Sequence, residues 1–210
     1  MLFLLKSLNK INLFFQFLGV IPMAILIKKG TLITASETFK ADILVEGEKI
    51  SLIGQSLTHP NAEIIDAEDK YILPGGVDPH VHLDLPMFDT VSSDDHYTGG
   101  KAAAFGGTTT VIDFVPQEEG TLGKNIERWH AKADPKASVD FSFHMNITRF
   151  DQEVAREIFT LPDLGITSLK VFTAYNNRLR LADAEIFRVM RVARSAGMLT
   201  MVHAENGDVI

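Results

Sequence analysis

The chain has 210 residues, 46% of them hydrophobic and 22% charged, a balance that fills one sizeable core, or one core with a small satellite, and argues against disorder as the dominant state. A net charge of -7, with lysines and arginines scattered rather than striped, excludes the basic footprint of a nucleic-acid or anionic-membrane binder. With no cysteine, a disulfide framework and every thiolate metal site are excluded, leaving imidazole, carboxylate or modified lysine as ligands in a chain compatible with the cytoplasm.

Residues 1–22, MLFLLKSLNKINLFFQFLGVIP, are the one compositional break, rich in Leu and Phe with positive charge at Lys6 and Lys10. A secretory signal would need a small-residue cleavage site, and none is obvious before Pro22. A membrane helix would need ~20 predominantly apolar residues, and Asn9, Lys10, Asn12 and Gln16 interrupt the run. The third reading is an upstream extension outside the fold, with Met23 as the natural start.

Residues 23–73 read as short strands, AILIKKG, TLITA, DILVEG, KISLIG and EIIDA, with turn residues Gly30, Gly47, Gly54 and Asn61 between them. The Glu46-Gly47-Glu48 step predicts a hairpin. This is a small β unit, closed by Pro74-Gly75-Gly76.

From residue 74 to 210 the rhythm becomes strand then helix: GVDPHVHL, a helix near Tyr97 to Phe105, TTTVIDFV, a helix near Asn125 to Ala133, VDFSFHMNI, a helix from about Gln152, ITSLKVF, a helix from Asp183 to Ala196, and MLTMVHAEN. In the last helix Ile186, Val189, Met190 and Ala193 recur at i, i+3, i+4 and i+7, with Asp183 as its cap and Gly197 as its stop. Five apolar strands with four intervening helices predict an α/β fold with a parallel sheet covered by helices. An open doubly wound sheet and the first five strands of a (β/α)8 barrel fit that count equally.

His80-Val81-His82 ends the first of these strands, where residues i and i+2 point to one side and two imidazoles can converge on an ion. By spacing alone the pair describes two satisfied or exposed histidines better than a metal site; its place at a strand C-terminal end raises the metal reading. His203 ends LTMVHAEN and can reach the same mouth. Lys170 sits between Leu169 and Val171, where a buried ammonium is costly; it either snorkels to water from an edge strand or has a lowered pKa, and the neutral amine can then take up carbon dioxide as a carbamate. Tyr175, in the loop TAYNN, can donate to a developing oxyanion or lie on the surface. Asp78, Asp84 and Asp113 can hold imidazoles from behind. His59, His96 and His130 read as loop or helix-surface residues, and His144 as a core or pocket-wall residue.

Together PGGVDPHVHLDLP, TVSSDDHYTG, GGTTTVIDF, KVFTAY and VHAEN resemble the N-terminal part of the hydantoinase/dihydropyrimidinase branch of the amidohydrolase superfamily, over Ala24 to the end. The resemblance implies a (β/α)8 TIM-type barrel, of which this chain holds the first five strands, preceded by a small N-terminal β-sandwich portion. It implies two divalent metal ions, usually zinc: His80 and His82 on one, a carbamate on Lys170 bridging both, His203 on the second, and Tyr175 polarising the carbonyl of a bound ring. It further implies hydrolysis of a small cyclic amide, a homo-oligomeric full-length form, and a further histidine and a proton-shuttling aspartate from later strands. Dihydroorotases carry an arginine soon after His-x-His to hold a carboxylate; here Leu83, Asp84 and Leu85 follow, favouring a neutral ring, dihydropyrimidine or hydantoin. Met87, Phe88, Phe172 and Leu179 either line its substituent pocket or simply pack. The competing readings are a truncated, inactive fragment of such an enzyme and a non-catalytic dihydropyrimidinase-like scaffold, against which the retained ligand residues argue.

Overall fold

A computed structural model of the protein describes residues 24–87 and 89–210, so the readings placed on residues 1–22, Met23 and Phe88 lie outside the described residues. The chain divides into two compact units: residues 24–77 with Lys101–Thr109 and Ser138–Asp140, and the remaining segments Asp78–Gly100, Thr110–Ala137 and Phe141–Ile210. Among the described residues no helix is long and apolar enough to cross a membrane.

The first unit is built on a mixed sheet of β1 (Ala24–Ile33), β2 (Thr38–Glu46), β3 (Lys49–Gly54), β4 (Ala62–Asp66) and β5 (Tyr71–Ile72), in the order β3-β2-β1-β4 with β5 also on β1. β1 is buried on both faces. Ile25 and Ile27 join Ile43 and Val45 on one side, while Ala24 and Leu26 join Leu44 on the other, the period-2 alternation that a central strand requires. The β2–β3 hairpin turns at Gly47, whose φ of 62° is the left-handed backbone that glycine adopts without strain.

Gly30 is the first correction. AILIKKG and TLITA are one strand, broken only by a bulge between Ile27 and Gly30 against β2. The glycine is there for packing: a Cβ would fall 2.2 Å from the Ile72 side chain. Glycine inside a strand marks a bulge or close approach as readily as a turn.

The second sheet is an open half-barrel of five parallel strands: β6 (Gly76–Asp78), β9 (Thr108–Val115), β10 (Asp140–Asn146), β11 (Ser168–Phe172) and β12 (Leu199–His203), in the order β12-β11-β10-β9-β6. A two-stranded ribbon, β7 (Pro86–Met87) with β8 (Thr90–Val91), follows β6. Each crossover carries a helix: α1 (Thr98–Gly106), α2 (Leu122–Ala133), α3 (Gln152–Ile158) and α4 (Asp183–Ser195). The half-barrel settles the choice between open doubly wound sheet and incomplete barrel in favour of the second.

Alternation then assigns the two faces of this sheet. Val115, Phe143, Met145, Leu169 and Val171 pack with Trp129 and Ile126 of α2, Val154 and Ile158 of α3, and Val189 and Ala193 of α4 in one core. The residues between them, Phe114, His144, Asn146, Ser168, Lys170 and Phe172, therefore belong to the opposite face. Burying a side chain such as Trp129 or Phe143 contributes roughly 1.5–3 kcal/mol, so this apolar outer core holds a polar inner face in place.

In α4 the cap differs from expectation. Asp183 is already helical; the N-cap is Ala182, whose amide donates to Glu185 Oε2 at 2.9 Å. This is the reciprocal half of a capping box, supplied by the N3 glutamate while the cap residue has no side-chain acceptor. Gly197, at φ 70°, ends the helix as expected. Met190 and Phe187 remain exposed, so the apolar stripe is covered along Val189 and Ala193, with Ile186 and Val192 half-buried beside them.

Candidate functional site

Lys170 is central on β11, 6% exposed, with all five residues of that strand buried. Its Nζ lies 5.2 Å from the centre of the Phe114 ring and 5.7 Å from that of Phe172. No carboxylate pairs with it among the described residues, and burial draws its pKa below the usual lysine value. Taking an ammonium out of water without a counter-ion disfavours the charged form.

His80 and His82 lie just beyond β6. The backbone between them is still tied to β9 by Val81 N–H donating to the Ile112 carbonyl at 3.3 Å. Their rings meet edge-on at 5.3 Å, and Phe114 floors both, at 4.7 Å from His80 and 5.0 Å from His82. Both have lowered pKa values, first through desolvation, then through Lys170 for His80 and through His80 itself for His82. His203 also contributes to the lowering at His80, so it lies within electrostatic range. Neutral imidazoles are the metal-binding form.

His203 closes β12, in register with Phe172 of β11. Its Nε2 pairs with Glu205 Oε2 at 2.5 Å, and its ring lies 5.0 Å from Tyr175. Tyr175 has φ 65°, a left-handed conformation that costs a non-glycine residue of order 1 kcal/mol or more. Its carbonyl accepts the Arg178, Leu179 and Arg180 amides, and a clasp to the segment after β12 holds the loop. Thr173 Oγ1 donates to the His203 and Glu205 carbonyls, Asn176 Nδ2 to Gly207 O, and Arg180 pairs with Asp208. Gly207 permits the approach, since a Cβ there would meet Thr173 O at 2.7 Å.

The structure thus gathers His80, His82, Lys170, His203 and Tyr175 around Phe114 and Phe172 on the face away from the helices. Among the described residues no three His, Cys, Asp or Glu side chains form a ready metal-binding group. The donor types on this face, imidazole and a buried lysine amine, are ones that a borderline cation accepts, although His203 Nε2 is paired with Glu205. Phe172 is buried beside Tyr175 and Leu179 is half-buried; the Met87 side chain lies outside the described residues.

None of the three aspartates reaches a site imidazole, as sequence position had suggested; each holds backbone or a lysine instead. Asp78 accepts from the His80 amide at 3.1 Å, and Asp113 accepts from the Leu83 and Phe114 amides at 3.2 and 2.7 Å. Asp84 receives the Lys136 ammonium at 3.3 Å. His96, expected at the surface, is 2% exposed, with Nε2 3.5 Å from Asp113 Oδ2.

No family model matches the chain. The D-hydantoinase of Geobacillus stearothermophilus is 47% identical over 190 residues, 90% of this chain and 40% of that protein. That of Streptomyces coelicolor is 41% identical over 191 residues, 88% of this chain and 41% of the relative. The chain belongs to the hydantoinase/dihydropyrimidinase family. The half-barrel is likewise that of the family: the crystal structure of dihydropyrimidinase from Brevibacillus agri superposes with a TM-score of 0.86 at 48% identity, over 89% of this chain and 41% of that one. The chain spans about two fifths of the length of the relatives it matches.

His144, read from the sequence as a core or pocket-wall residue, lies buried on this face. It is 4% exposed, stacks on Phe114 at 4.9 Å, and hydrogen-bonds Ser168 and the Pro79 carbonyl. Its period-2 spacing from Asn146 on β10, opposite Ser168 and Lys170 on β11, was the available signal.

Proposed function

We propose that this chain carries part of the metal centre of a hydrolase acting on cyclic amide bonds, with a neutral dihydropyrimidine or hydantoin ring as substrate. The observation that carries the reading is Lys170: a buried lysine, unpaired among the described residues and held below its usual pKa, on the same face as His80, His82 and His203. His80 and His82 would hold one divalent cation, zinc in the first instance, and His203 a second, with Lys170 bridging both as a carbamate. When bound, such cations acidify a shared water and polarise an amide carbonyl. Tyr175, fixed by its left-handed backbone and the clasp behind it, would donate its phenol to the oxyanion that develops on that carbonyl. Phe114 and Phe172 keep water from the floor of the site, which strengthens each polar interaction there.

The family resemblance implies two further groups, a histidine and an aspartate, from strands later than the five of the half-barrel. The polypeptide by itself is therefore expected to bind zinc without appreciable turnover, because loss of a positioned acid/base costs about 10²–10⁴-fold. The experiment is calorimetric titration with zinc in bicarbonate buffer, beside assays of dihydrouracil and hydantoin ring opening. Zinc affinity that disappears in a His80→Ala, His82→Ala double variant supports the centre, and equal affinity in that variant overturns it. Turnover at rates usual for enzymes would overturn the part-site reading.

A further inference from the structure

We infer that His144 is a positioning residue that sets the His80-x-His82 segment, an inference that rests on the metal-centre reading above. Proton count decides the ring's state. The Pro79 carbonyl can only accept, so the Nε2 that lies 2.9 Å from it must carry the hydrogen. In the neutral ring Nδ1 is then an acceptor, and its neighbour Ser168 Oγ must donate to it. The Pro79 carbonyl thus selects the tautomer of a histidine on β10, the Ser168 hydroxyl on β11 accommodates it, and that histidine restrains the peptide joining Pro79 to His80.

The restraint crosses the inner face, spanning 24 residues of sequence to Ser168 and 65 to Pro79. It complements two other holds on the segment: Asp78 Oδ1 accepts the His80 amide, and Val81 N–H donates to Ile112 O. Those two fix the amide of His80 and the residue after it, and the hold on the peptide carbonyl before His80 comes from His144. Without His144 the peptide joining Pro79 to His80 keeps only the Asp78 bond at its N–H and is freer to tilt about it, and the His80 ring tilts with it, away from the edge-on pairing with His82 at 5.3 Å. Packing also ties the elements together, because Phe114 touches the rings of His80, His82 and His144 at once.

The test uses the 210-residue chain and has a metal-free and a metal-loaded arm. Long-range 15N NMR on the metal-free protein is expected to show His144 as the Nε2–H tautomer, in wild type and in Ser168→Ala alike. The His80 amide is expected to exchange faster in His144→Ala than in wild type. His144→Gln, whose amide can still donate toward Pro79 O, should restore slow exchange. In the loaded arm, cobalt(II) titrated by its visible spectrum should bind about 10–100-fold more weakly to His144→Ala, with His144→Gln recovering most of the affinity. An Nδ1–H tautomer in wild type, or a folded His144→Ala variant with wild-type exchange at His80 and wild-type cobalt affinity, would overturn the inference. A wild-type chain that takes up no cobalt would overturn the metal-centre reading instead, and the metal-free arm then decides the role of His144 alone.

Discussion

Replacing Lys170 with Ala is expected to abolish bicarbonate-dependent zinc uptake by this chain, and a short carboxylic acid added to the variant is expected to restore part of it. The amine is buried beside Phe114 and Phe172, without a carboxylate partner among the described residues, so its charged form is penalised and a larger neutral fraction is open to carbon dioxide. The carbamate so formed is a long carboxylate at the centre of β11, between the mouths where His80 and His203 lie. Unchanged zinc stoichiometry in the Ala variant, with or without bicarbonate, would refute the bridging role. A cavity effect is separated by Lys170→Met, which fills the volume without an amine. In metal-free buffer at neutral pH this variant should be at least as stable as wild type, since it removes an unpaired buried charge. The folded lysine pKa is lowered, so wild type gains stability as pH rises from that value toward the unfolded one near ~10.4. The gap between the two proteins should accordingly narrow on the alkaline side.

How much of this was legible in the sequence depends on whether a feature is periodic or tertiary. The alternation of ITSLKVF and MLTMVHAEN with amphipathic helices is set by local hydrophobic spacing, and the five-stranded sheet with its helical crossovers follows from it. The placement of His80, His82, Lys170 and His203 on one face follows from strand period and strand ends, which sequence carries. What it does not carry is contact between distant segments. Gly30 looks like a turn until Ile72 is seen packed against it. Asp183 looks like a cap until the Glu185 carboxylate is seen on the preceding amide. His96 and His144 look ordinary because their partners, Asp113 and the pair Ser168 and Pro79, are 17, 24 and 65 residues away. The aspartates were placed near the right segment but given the wrong acceptor role, since nothing local says whether a carboxylate meets a ring or a backbone amide.

Between pH 5 and 8 the protein is expected to lose stability relative to its Asp113→Asn variant, by about 1–3 kcal/mol across the range. Asp113 is fully buried, and burial raises its pKa from 3.8 to about 7, against the Phe114 and Leu83 amides that favour the charged form. Lys132 also lowers it and Asp84 raises it, while His96 lies 3.5 Å away with a pKa that burial holds down. In the unfolded chain the carboxyl ionises near ~3.9, so between about pH 4 and 7 the folded state binds the extra proton. Folding stability therefore falls as pH rises through that window and levels off above it; a tenfold change in proton affinity between folded and unfolded chain corresponds to about 1.4 kcal/mol, and the whole displacement sets an upper bound. His96 acts in the opposite direction, because its folded pKa is lowered and deprotonation near its unfolded value favours the fold. Asparagine keeps one acceptor oxygen and no charge to bury; since the Phe114 and Leu83 amides bond different carboxylate oxygens, one of the two bonds is lost, so the variant should start below wild type at pH 5 and gain on it toward pH 8. Urea denaturation of both proteins at four pH values reads the difference directly. A difference that is the same at every pH would mean that Asp113 is ionised throughout, with His96 as its charged partner, and that this buried pair holds the Leu83 amide as an ion pair.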